Sequence, residues 1–116
     1  VFTFANTAEA LLRDVALTRR VAVAFSQPST NRTLQLKGCD AAVQPAQPAD
    51  VAQARRYLAL FAAEIVPLGW PPDFAQAVLW HEPAGLMAVR FTPEGAFHQT
   101  PGPGAGAPLP LQGGRA

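Results

Sequence analysis

Cysteine is almost missing from this chain. Cys39 is the single one, which excludes an intrachain disulfide and any cluster of thiolates around a metal. That economy suits a reducing compartment, and a cytoplasmic location is the expectation. Lysine is equally scarce: Lys37 stands alone against eight arginines, a skew we read as base composition of the coding sequence. Charged residues make up 15% of the chain and the net charge is +1, so there is no concentrated basic footprint for nucleic acid. No apolar run approaches the ~20 residues that a membrane helix needs, and no signal peptide opens the chain. An initiator methionine is also lacking. The chain begins on the strand-like Val1-Phe2-Thr3-Phe4, whereas natural ends are usually polar and frayed. Residues upstream of Val1, strands among them, are therefore expected.

What is present is enough apolar material for a core. Over 116 residues, 49% are hydrophobic, with two Trp and seven Phe, which predicts one packed domain. Asn6 and Glu9 have the spacing of a capping box and announce a helix over 7–18, with Ala8, Leu11, Leu12 and Val15 on its apolar face. Val21–Ser26 reads as a short strand, and its unbroken apolar character predicts burial on both faces. Gln27-Pro28-Ser29-Thr30-Asn31 is turn chemistry, so this strand and the following one over 32–38 form a hairpin. That second strand is expected to resume through Ala41–Val43, with Gly38 at a bulge or bend. Asp50 reads as the cap of a helix over 51–66 whose apolar positions are Val51, Ala54, Leu58, Phe61 and Ile65. A third helix begins near Pro71-Pro72-Asp73 and runs to about Trp80. His81–Gly85 is a loop, Leu86–Phe91 a strand, and Thr92-Pro93-Glu94-Gly95 a turn. This order predicts an α+β fold on an antiparallel sheet or small barrel rather than parallel crossover units.

The strand Arg32-Thr33-Leu34-Gln35-Leu36-Lys37-Gly38 has two chemically different faces. Leu34 and Leu36 point one way and Thr33, Gln35 and Lys37 the other, because side chains alternate along a strand. The polar side is either a solvated sheet face or a row of hydrogen-bonding groups aimed at a ligand. The pattern alone leaves both open.

Taken in order, these segments resemble the pyridoxamine 5'-phosphate oxidase-like, FMN-binding split barrels. The resemblance is carried by Val21–Phe25, the turn Gln27–Thr30, the strand Arg32–Gly38, the late strand Leu86–Phe91, and the ending Phe97-His98-Gln99-Thr100-Pro101-Gly102-Pro103-Gly104. It spans 1–106 and implies there an antiparallel split β-barrel domain with flanking helices, and a homodimer holding FMN in clefts at its interface. It also implies a possible FMN-dependent oxidoreductase acting on a small molecule. On this likeness Thr33 falls where the oxidase has a flavin-contacting glutamine, with Gln35 and Lys37 on the same face. Arg32, Gln99 and Thr100 are further candidates for cofactor contact. The family's basic phosphate segment has no match at Asn6-Thr7-Ala8-Glu9-Ala10, and its C-terminal substrate residues have none in the tail. Pyridoxamine phosphate oxidation itself is therefore not expected. The alternative is a split-barrel dimer without flavin, acting as a binding or regulatory module, or one that holds haem through His81 or His98.

The remaining residues support no separate chemistry. Two isolated histidines do not make a metal site, and the Ser26, Ser29 and Thr30 hydroxyls have no partner base nearby. Cys39 reads as a small buried filler. The aromatic stripe Leu58, Phe61, Ile65, Trp70, Phe74 and Trp80 reads as core, or in part as a dimer contact. Gln99–Pro103 is expected to be ordered, and 107–116 to form a disordered Pro/Gly-rich tail.

Overall fold

The computed structural model describes residues 1–4, 8–79 and 83–111. Asn6, Trp80 and His81 lie outside them, so the Asn6 cap, the end of the third helix and the His81 loop do too. The fold is α+β, with two antiparallel sheets and three helices among the described residues. Chain contacts divide it into two compact units. One comprises 1–12 and 43–89, the other 13–42 and 90–116.

The first unit is built on strand β1 (Phe2–Phe4), helix α2 (Pro48–Ile65), helix α3 (Phe74–Leu79) and most of strands β4 (Ala42–Pro45) and β5 (Leu86–Arg90). The sheet order is β1-β5-β4. Central β5 buries Leu86, Ala88 and Val89, and Phe2 stands opposite Ala88 in the β1 ladder. Asp50 is not the cap of α2. The helix starts earlier, at Pro48, with Gln47 as N-cap, because proline suits a first turn whose N–H groups have no helical partner. Asp50 sits one turn in and reaches back, accepting the Gln47 N–H at 2.8 Å. Ala54 and Ile65 are buried and Val51, Leu58 and Phe61 half-buried, so α2 carries one inward stripe. Trp70 is not core: it is 49% exposed and stacks on Phe74 at 4.4 Å between ring centres. Among the described residues no helix is long and apolar enough to cross a membrane.

The second unit is a four-stranded sheet in the order β2-β3-β6-β7, made of β2 (Val21–Ser26), β3 (Thr33–Gly38), β6 (Gly95–His98) and β7 (Pro108–Leu109). The hairpin is as expected, with Val21 opposite Gly38 and Ser26 opposite Thr33. Its turn closes where the Thr30 and Asn31 N–H groups donate to Gln27 O, with Asn31 left-handed at φ 59°. Helix α1 (Glu9–Thr18) is shared between the units; Leu12 and Val15 are buried, but Leu11 is exposed rather than on the apolar face.

Three expectations fail in this unit. β2 is not buried on both faces: Val21 and Val23 are half-buried, while Ala22, Ala24, Phe25 and Ser26 are exposed. An apolar run hides an alternation in burial when its outward positions are small alanines. β3 does not resume after Gly38; the chain breaks at Cys39-Asp40 and enters the other sheet as β4. The tail is not disordered through 107–109, because β7 pairs with β6, Ala96 opposite Leu109 and Phe97 opposite Pro108. The turn between them is held by His98 N–H to Ala107 O at 2.8 Å and Gly106 N–H to His98 O at 2.6 Å. Gly102 (φ 140°) and Gly106 (φ 91°) supply backbone angles that other residues rarely adopt. Proline is tolerated at 108 because β7 is an edge strand.

Candidate functional site

At the turn end of this sheet lies an open cleft of about 400 Å³. Register explains what lines it. Residues directly opposite in a ladder share a face, so Phe25, Leu34 and His98 form one row across β2, β3 and β6. Ala96 and Leu109 continue that face one row away, and Leu109 reaches the cleft. Thr33 O accepts the Gln99 N–H at 2.8 Å, so the ladder extends past His98 and sets Arg32 opposite Thr100. Gln27, Arg32 and Thr100 therefore form the outer, polar row of the same face, and all three line the cleft.

The strand end is tied together by hydroxyls. Thr33 Oγ1 donates to Asn31 O at 3.1 Å and, its one proton so used, accepts the Ser26 hydroxyl at 2.8 Å. Thr100 Oγ1 accepts the Thr33 N–H at 3.0 Å. A side chain there stands in for the ladder carbonyl that the departing strand no longer offers. Thr30 Oγ1 accepts the Arg32 N–H at 3.2 Å and donates to the Gln27 side-chain oxygen at 3.0 Å. Arg32 is itself exposed. The cleft thus has an apolar floor of Phe25, Leu34 and Leu109, with the Arg32 guanidinium, the His98 imidazole and the Thr100 hydroxyl on the same face. That mixture suits a partly apolar, flat ligand with an anionic or hydrogen-bonding end.

Of the residues singled out from the sequence, Arg32, Thr33 and Thr100 come together around this cleft. Gln35, Lys37 and Gln99 do not line it. Gln35 and Lys37 belong to the opposite face of β3, where Gln35 is half-buried and the Lys37 ammonium sits 5.0 Å above the Phe97 ring. Gln99, opposite Thr33, shares that other face. The cleft therefore opens on the Leu34 side of the strand, not the Gln35 side. Phe25, Leu34, His98 and Leu109 are the contributors that local pattern did not nominate as a set. Their signal is the pairing of β3 with β6, which no local window contains.

The loop after β3 is a second polar cluster in the same unit. Cys39 is exposed, not a buried filler, because Gly38 takes the inward position beside it. Its thiol donates to Glu94 Oε1 at 2.8 Å. That hydrogen bond, with the negative charge behind it, raises the thiol above its ordinary range. Asp40 Oδ1 accepts the Thr92 N–H at 2.7 Å. This bond and one from the Thr92 side chain hold its carboxyl below the ordinary range.

Comparison with protein-family models, curated proteins and solved structures gives no match to this chain.

Proposed function

We propose that this chain binds a flat, anionic small molecule in the cleft of the four-stranded sheet, and that the ligand is FMN. The observation that carries the reading is convergence. Arg32 and Thr33 at one strand end meet Thr100, 67 residues on from Thr33, around an apolar floor of Phe25, Leu34 and Leu109. The residues fit the chemistry of the group. The apolar floor suits an aromatic ring system, and the Arg32 guanidinium offers charged donors to a phosphate. The resemblance to FMN-binding split barrels, with their homodimeric architecture, supports the same ligand. Bound flavin would supply electron or hydride transfer, and the protein would supply orientation and charge. No side chain is assigned as catalytic acid or base.

The test is titration of FMN with the purified protein, followed by quenching of flavin fluorescence. Saturable binding is expected, weakened by Arg32→Ala about 10- to 100-fold, the worth of one charge-assisted hydrogen bond. Absence of saturable quenching, or equal affinity in the variant, refutes the assignment. A second reading has one specific observation behind it: His98 lines the cleft and offers an imidazole to haem iron. A Soret band on haem addition that is lost in His98→Ala would select it over flavin.

A further inference from the structure

Helix α2 of the first unit is apolar on both sides. Its inward stripe holds Ala54, Leu58, Phe61 and Ile65. At about 3.6 residues per turn the opposite side carries Ala52, Arg56, Ala59, Leu60 and Ala63, all of them exposed. Arg55 and Tyr57 flank that side and are exposed too. A surface helix ordinarily turns a charged, polar face outward. Here the outward charges are two guanidiniums and no carboxylate, since Asp50 is buried and Glu64 half-buried. The same surface continues past the helix end. Val66 keeps helical backbone angles (φ −59°, ψ −46°), so it follows Ala59 and Ala63 on the outward side. Val66-Pro67-Leu68-Gly69-Trp70-Pro71-Pro72 is then wholly exposed and carries no charged side chain. Leu60, Leu68 and Trp70 each keep about half of their surface in water. The run is held in shape: the Gly69 N–H donates to Val66 O at 3.0 Å and the Trp70 N–H to Ile65 O at 3.4 Å. An exposed apolar surface of this extent marks an interaction site.

We propose that this surface docks on an anionic lipid bilayer, with α2 lying in the plane of the headgroups and the 66–72 run entering the acyl boundary. The chemistry selects that occupant. Tryptophan settles at headgroup level, and leucine, valine and proline side chains carry no polar group to desolvate on entry. The Gly69 and Trp70 N–H groups are bonded within the run, which removes the cost of burying them unpaired. Arg55 and Arg56 meet lipid phosphates and carboxylates, a charge complementarity that needs a negative surface. Arg56 and Val66 are ten positions apart, about 15 Å along a helix, so one flat surface spans the guanidiniums and the apolar run. The next charge is the exposed Asp73, which confines insertion to the run itself. The contact is peripheral, as for other amphipathic helices that lie on a membrane. It belongs to the first unit and the cleft to the second, so it does not rest on the flavin reading.

The experiment is flotation of the whole chain with vesicles of phosphatidylcholine alone and of phosphatidylcholine mixed with phosphatidylserine. Capture by the mixed vesicles is expected, above that by phosphatidylcholine and falling as salt is raised. Arg56→Gln should weaken capture about 5-fold, the worth of one cation near such a surface. Leu68→Ser should weaken it on the order of 10-fold by taking an apolar side chain out of the acyl boundary, and Leu60→Ser provides a second apolar variant. All three positions are exposed, so thermal unfolding of the variants should match wild type. A chain that floats with neither vesicle overturns the proposal. So does equal capture by the two compositions, and so do variants captured like wild type. Self-association without lipid that Leu68→Ser abolishes, in a chain that does not float, would give the face to a second copy and overturn it as well.

Discussion

Replacing Gly38 with alanine should destabilise the protein, although no unusual backbone angle demands glycine there. The position is buried at the end of β3. A methyl group on its Cα would lie 2.6 Å from Phe91 Cδ2 and 2.8 Å from Thr92 O. Both contacts are far inside van der Waals range, and the second is with backbone, which moves less readily than a side chain. Thr92 is further held by its N–H bond to Asp40, so the segment that must yield is tethered. Overpacking of a tight site costs about 1–3 kcal/mol. Alanine returns about 0.4–1 kcal/mol by narrowing the unfolded ensemble. The net expectation is a loss of about 1–2 kcal/mol, or roughly 4–8 °C in Tm for a domain of this size. Thermal and urea denaturation of Gly38→Ala beside Gly85→Ala provides the measurement. Nothing lies within 4 Å of a methyl group added at Gly85, so that variant should be as stable as wild type or slightly more so. A Gly38→Ala protein as stable as wild type, or more so, would refute the close-approach argument.

Two further predictions concern the loop beside it. Asp40 titrates lower in the folded chain than in the unfolded one, so its contribution to stability is complete above the ordinary carboxylate range and lost as pH falls through its own lower value. Asp40→Asn should therefore unfold at lower denaturant than wild type at neutral pH, and the gap should close as pH falls below the ordinary carboxylate range and through the lower folded-state value. A gap that does not change with pH would count against the Thr92 tether. Cys39 is exposed, yet its thiol is held protonated by Glu94. Alkylation by iodoacetamide at about pH 8, where a free cysteine is partly thiolate, should be slow in the wild type and faster in Glu94→Gln, as followed by mass spectrometry. Equal rates would remove Glu94 as the cause.

The strand over 33–38 shows what a local pattern can and cannot carry. Its alternation was legible, and so was the hairpin with β2, because both are written in contiguous residues and a turn of Gln27–Asn31 chemistry. The helices were legible in type but not at their starts: Pro48 opened α2 ahead of Asp50, a choice between two capping schemes that composition does not rank. β6 and β7 were not legible. Gly95–His98 is only four residues, and Pro108–Leu109 draws its order from the neighbouring strand and from two glycine turns rather than from its own propensity. That gap decided the site. Polar Thr33, Gln35 and Lys37 stand out in the sequence because ligand contacts are expected to be polar, but a sheet face becomes a cleft only where neighbouring strands add walls. The walls here are His98 and Leu109, brought in by β6 and β7 on the Leu34 side. With the β3–β6 register in hand, one hydrogen bond, Gln99 N–H to Thr33 O, sets Arg32 opposite Thr100 and selects the face. A second, Gln27 N–H to Arg32 O, selects which residues of β2 face outward. Register links the cleft and the sheet edge through Phe25: the row that gives the cleft its apolar floor ends on β2, whose other side no strand pairs with among the described residues.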